Sequence, residues 1–124
     1  MRIYSVTETP DERFFKKFRV TIGIVLTVNQ KGVILVRPAK GTGLELILPQ
    51  GGIEPGESFK EALHREISEE LPGVTLGTYR PFLGRCLNRM PPERGERDKA
   101  IGWFGAVVKT MPKGVNQEEN ADYV

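Results

Sequence analysis

The sequence predicts an α/β fold, with a mixed sheet and one clear helix. Three observations carry this. Stretches rich in β-branched residues recur at 18–28, 33–37 and 100–110, each long enough for a strand. Between them, residues 59–71 place Ala62, Leu63, Ile67 and Leu71 near helical spacing. At 124 residues, 39% of them hydrophobic, the chain has the size of one domain and enough apolar content for one core.

The elements follow in order. Residues 1–13 are polar and read as an irregular or arm-like start. "FRVTIGIVLTV", residues 18–28, is the first strand, "NQKG" at 29–32 a turn, and "VILVR" at 33–37 the returning strand. "PAKGTG" at 38–43 is a loop, and "LELIL" at 44–48 a short strand ended by Pro49. A glycine-rich loop occupies 51–56. Ser58, followed three residues later by Glu61, fits a capping box at the head of the helix. Pro72 and Gly73 end that helix. Residues 74–87 read as an extended segment broken at Pro81, and 88–99 as a charged loop. The last strand is "AIGWFGAVVKT", and "QEENADYV" then stops without a closing element. One face of the sheet is left poorly covered, so the chain reads as truncated relative to a complete domain.

Composition excludes several function classes. With one cysteine, Cys86, and one histidine, His64, neither an intramolecular disulfide nor a cysteine/histidine zinc site can be assembled. This fits a reducing, cytoplasmic location. A formal net charge of +2 is too small to argue for a nucleic-acid partner by itself. No apolar run approaches the roughly 18–20 residues needed to span a membrane. The N-terminus lacks the apolar core of a secretory signal.

The chemistry concentrates in "LPQGGIEPGESFKEALHREISEELPGV", residues 48–74. Each helical residue advances about 100°, so Glu66, Glu69 and Glu70 share an arc of about 100° on one face. Like charges at this spacing repel by about 0.2–0.5 kcal/mol per pair. They also sit in the last helical turn, where the dipole favours cations. Local helix stability therefore does not explain the cluster. Two readings stand: a solvated acidic face, with Lys60 and Arg65 as partial compensation, or a site for a hard divalent cation such as Mg²⁺, which takes carboxylate oxygens and substrate phosphates. The preceding glycines supply backbone able to approach a phosphate or a cation. The loop lacks the lysine of a P-loop and is not that motif.

Together these residues resemble the Nudix hydrolase signature, G-x5-E-x7-R-E-U-x-E-E-x-G-U, where U is a bulky apolar residue. Gly51, Glu57, Arg65, Glu66, Ile67, Glu69 and Glu70 occupy the matching positions. The end departs from the pattern, because Pro72 stands where glycine is expected and Gly73 and Val74 follow one residue late. A one-residue insertion at the helix end accounts for it and leaves the spacing of the glutamates intact.

The resemblance implies a Nudix-type α/β/α sandwich with a mixed sheet, a single domain over 1–124 whose usual C-terminal helix has no counterpart here. It implies hydrolysis of a diphosphate linkage in a nucleoside diphosphate derivative. Glu66, Glu69 and Glu70 would hold Mg²⁺ or Mn²⁺, with a backbone carbonyl near Gly51 as a further ligand. Glu66 is the first candidate for general base and Glu69 the second. Arg65 would orient the carboxylates, and Glu57 would pair with it or fix the loop that Gly52 belongs to. The form "PQGGIEPGES", with Gln50 before the glycine pair, resembles the RNA 5′-pyrophosphohydrolase and diadenosine polyphosphate hydrolase branch. That branch implies diadenosine polyphosphate, the triphosphorylated 5′ end of RNA or a nucleoside triphosphate as substrates.

Arg37, Lys40, Arg85, Arg89, Arg97 and Lys99 are basic residues available to a polyphosphate, or solubilising charges. Trp103 and Phe104 lie on opposite faces of their strand, each a stacking surface or a core residue. Glu119 is a candidate fourth acidic ligand. His64 reads as an exposed bystander and Cys86 as a buried or half-buried small residue. The alternative to an enzyme is a non-catalytic nucleotide or nucleotide-sugar binding domain. Homodimer formation is left open, although the family often pairs.

Overall fold

The computed structural model describes residues 2–29, 32–38, 46–112 and 120–123, the stretch 120–123 and residue 38 by backbone alone. Strand β1, Arg19–Val28, is central. Beside it lies β7, Lys99–Thr110, parallel and in unbroken register from Arg19↔Lys99 to Thr27↔Val107. Antiparallel partners complete a six-stranded mixed sheet: β2 (Gly32–Val33) and β4 (Gln50–Gly52) on β1, and β5 (Thr75–Tyr79) and β6 (Gly84–Asn88) on β7.

Alternation sorts the strand residues between the two faces. Ile22, Ile24 and Leu26 of β1 share one face with Phe104, Ala106 and Val108 of β7, and all are buried. Helix α2, Phe59–Glu70, covers that face with Phe59, Ala62, Leu63 and Ile67. Complete burial of an aliphatic side chain of this size contributes about 1.5–3 kcal/mol. Helix α2 begins as its sequence dictates. The Ser58 hydroxyl accepts from the Glu61 N–H at 3.1 Å, and the Glu61 carboxylate accepts from the Ser58 N–H at 3.0 Å. It ends at Leu71, whose N–H still donates to Ile67, and Gly73 turns the chain with φ of +92°. That positive φ is why glycine is needed in "LPGV", and the extra residue leaves the helix intact.

The structure departs from expectation in four places. Residues 12–17 form a short helix, α1, capped by the Asp11 side chain; its first two residues fall in the expected irregular start, and 14–17 were assigned to no element. The returning strand of the first hairpin splits. Its start, β2, pairs with β1, whereas β3, Val36–Pro38, turns away to pair with β8, Asn120–Tyr123. The first glycines of the expected loop are strand, in β4. The "LELIL" segment retains only an isolated bridge from Ile47 to Val36, with residues 44 and 45 outside the described residues. Among the described residues, no helix is long and apolar enough to cross a membrane.

Candidate active site

Strand β4 is three residues long, yet it sets the geometry. Gly51 pairs with Ile22 and so belongs to the face under α2, while Gln50 and Gly52 pair with Gly23 and Thr21 and belong to the opposite face. Glu66 reaches down from α2 onto Gly51. A Cβ added there would lie 2.0 Å from the Glu66 carboxyl carbon, so only glycine admits the carboxylate at this position.

Arg65 ties the loop to the helix. Its Nε and Nη2 donate to the two oxygens of Glu57, both at 2.9 Å. Its Nη2 also donates to the Gly52 carbonyl at 2.8 Å, and its Nη1 to Glu66 Oε1 at 2.8 Å. The Glu69 carboxylate lies 3.9 Å from Nη1. The fork geometry of a guanidinium suits such bidentate pairing. Glu57 Oε1 accepts the Glu54 N–H as well, at 3.0 Å. The Arg65 guanidinium holds the Glu57 carboxyl below its ordinary range, and Glu57 in turn raises Arg65 further above its own.

Glu66 and Glu70 are buried, 8% and 6% exposed, whereas the Glu69 side chain is 47% exposed. The expectation of one uniform acidic face therefore divides into two inward carboxylates and one at the surface. Counting only Arg65, Glu57, Glu66 and Glu69, three carboxylates lie within 4 Å of one guanidinium. That group carries a formal charge of −2. Hard oxygen donors with such an excess fit a divalent cation. Among the described residues, no three acidic, histidine or cysteine side chains converge on one point, and Arg65 holds Glu66 Oε1.

The other side of β4 opens on a cleft of about 240 Å³, lined by Arg19, Val20, Thr21, Gln50, Gly51, Gly52 and Lys99. The structure brings Gln50 and Lys99, two of the four residues expected to bind substrate, to this cleft beside Gly51 and Gly52. Sequence reasoning missed Arg19. Nothing in "FRVT" marks it, and only the parallel register opposite Lys99 places it at the cleft. Arg37 is not brought to this cleft. It belongs to the small β3–β8 sheet, and its Nε is buried without a hydrogen-bond partner. Lys40 and Glu119 lie outside the described residues.

The remaining candidates sort as follows. Phe104 is core. Trp103 lies on the opposite face, its ring flat on Gly23, and its indole N–H donates to Cys86 Sγ at 3.2 Å. Cys86 is exposed, contrary to expectation, because it sits on the edge strand β6. His64 is exposed but no bystander, since it hydrogen-bonds the Tyr79 hydroxyl and fastens α2 to β5. Arg97 donates to the Phe15 carbonyl and anchors the charged loop to α1.

Comparison with known proteins gives the family and the fold. The chain matches the family model of the NUDIX domain over residues 17–123. An RNA pyrophosphohydrolase of Saccharophagus degradans is 35% identical over 98 residues, which is 70% of this chain and 55% of that protein. Another, of Ruthia magnifica, is 43% identical over 54 residues, 44% of this chain and 29% of that protein. The chain thus spans roughly a third to a half of the curated relatives it matches. Among solved structures, a MutT NUDIX hydrolase from Burkholderia pseudomallei superposes with a TM-score of 0.69 at 22% identity, covering 86% of this chain and 80% of that one. A NUDIX hydrolase from Nitrosomonas europaea gives 0.68 at 24% identity, covering 87% and 71%. At such identities these two establish the α/β/α fold alone.

Proposed function

Because the chain belongs to the Nudix family, we propose that it hydrolyses a diphosphate linkage in a nucleoside diphosphate derivative, with the triphosphorylated 5′ end of RNA as its foremost substrate. The observation that carries the reading is the Arg65 cluster, with Glu66 seated on Gly51. The names of the curated relatives support the RNA substrate. Diadenosine polyphosphate and nucleoside triphosphates share the same linkage and belong in the same test.

In this reading Glu66, Glu69 and Glu70 would hold Mg²⁺ or Mn²⁺, with a backbone carbonyl near Gly51 as a further ligand. When bound, such an ion supplies Lewis-acid charge at a phosphoryl oxygen and a lowered water pKa. Glu66 takes the proton of the attacking water, with Glu69 as the second choice. Arg65 fixes the Glu66 carboxylate through Oε1 and holds Glu57 and the Gly52 carbonyl in place. Lys99, Gln50 and Arg19 bind the polyphosphate from the cleft across β4. Arg37 stands apart from this set. The reading describes a cytoplasmic enzyme whose domain occupies 1–124.

The test is release of phosphate and pyrophosphate from a panel of triphosphorylated RNA, dinucleoside polyphosphates and nucleoside triphosphates, with Mg²⁺ or Mn²⁺. Turnover abolished by Glu66→Gln supports the proposal. Calorimetric binding without cleavage of any substrate would replace it with a binding domain.

A further inference from the structure

A second, larger cavity lies away from the glutamates, on the α2 face of the sheet beside the edge strand β6. It holds about 390 Å³, within the range of about 300–1,000 Å³ typical of small-molecule sites. Its walls are aromatic: Tyr4 from the N-terminal arm, Phe14 and Phe18 around α1, Phe59 at the head of α2, and Phe82 before β6. Ala100 and Gly102 of β7 form the floor. Both are small, and a larger side chain at Ala100 or Gly102 would take up part of this space.

The pocket is a built feature. Tyr4 packs edge-on against Phe59 and Phe82, with ring centroids 5.6 and 5.4 Å apart. The arm is pinned to α2, as Glu8 and Val6 carbonyls accept the N–H groups of Phe59 and Lys60. The wall holds one charged side chain, Arg85 of β6, opposite Gly102 in the register. Among the described residues Arg85 makes no hydrogen bond or ion pair. Nothing acidic lines the cavity, so its charge is complementary to an anion.

We propose that this cavity is a second ligand site, beside the diphosphate cleft, for a small aromatic molecule carrying one acidic group. The ring would lie among the aromatic walls, and the anion would meet the Arg85 guanidinium at the mouth. Aromatic pairs favour such edge and offset contacts, and a charge-assisted bond fixes the orientation. The cavity adjoins the β4 cleft at Val20 and Thr21, which line both, but holds none of the residues assigned to the diphosphate chemistry.

Two fluorescent dyes of nearly equal shape test it on the full chain: anilinonaphthalene sulfonate, which is an anion, and phenylnaphthylamine, its neutral counterpart. Both should bind at one site. Arg85→Gln should weaken the anion by about tenfold, as loss of one charge-assisted bond implies, and leave the neutral dye unchanged. Ala100→Leu should remove both dyes. If that variant fails to fold, Gly102→Ala serves instead. Its added Cβ meets Phe59 at 3.5 Å, an ordinary contact, so the fold tolerates it while the cavity shrinks and both dyes weaken severalfold. Dye binding indifferent to the floor variants, or an Arg85→Gln effect equal for both dyes, overturns the proposal. So does light scattering that shows a dimer of the wild type turned to monomer by Ala100→Leu, since the cavity would then belong to an interface between copies.

Discussion

The cleft beside β4 and the cavity beside β6 are built from the same two strands, yet one is polar and the other apolar. Arg19 and Lys99 sit opposite each other at the cleft, while Ala100, one step from Lys99, lines the cavity, and Val20 and Thr21 lie where the two adjoin. The period-two alternation of a strand turns one step in sequence into a change of face. Small residues play opposite parts on the two sides. Gly51 is small because the Glu66 carboxylate lies where its Cβ would be, whereas a Cβ at Gly102 would meet only ordinary contacts of 3.5–3.9 Å with Phe59, Phe104 and Phe82 at the cavity floor.

The comparison breaks if the acidic cluster is only a solvated surface. Glu66→Gln and Glu69→Gln should each lower kcat by about 10²-fold or more, with melting curves near those of the wild type. An unchanged kcat would place the chemistry elsewhere. Next in size is Gly51→Ala. Its Cβ has no room beside Glu66, so we expect a stability loss of about 1–3 kcal/mol together with a loss of turnover on the order of 10-fold or more. Denaturant titration and a steady-state assay read the two effects separately. Lys99→Gln should raise KM by about tenfold with little change in kcat, and weaken the dependence of KM on salt.

A smaller effect concerns the clamp. Arg65 depresses the Glu57 carboxyl, so their pairing contributes in full at pH values above the ordinary carboxylate range and is lost as pH falls through the lowered folded-state value. The stability difference between wild type and Glu57→Gln, measured in urea, should therefore shrink in acid. A difference constant with pH would assign the loss to packing. The smallest expected effect is none: Ala100→Leu should leave kcat/KM unchanged, and a fall would show that the two sides communicate through the sheet.

Much of the site was legible because its signals are local. Ser58 and Glu61 sit three apart and form their cap without help from the rest of the chain. The glutamates share a helical face because 3.6 residues make a turn. Other features left no readable mark. Helix α1 is six residues long, too short for an apolar period to emerge, although its Asp11 cap stands in the sequence. The split of 33–38 between two sheets depends on where 120–123 comes to lie, and no local pattern carries that. The exposure of Cys86 follows from β6 being an edge strand, which is a property of the sheet and not of "GRCLN".

The sequence alone determined the mixed α/β class, the limits of the glutamate helix and the order of acidic groups along it, since periodicity and capping act within a few residues. Tertiary structure decided the rest. It laid β1 beside β7 so that Arg19 met Lys99, set Gly51 beneath Glu66, and left a cavity over Ala100 and Gly102. Those relations join residues far apart in the chain. They are fixed by which strands pair and in what register, and so by the packing of the whole sheet.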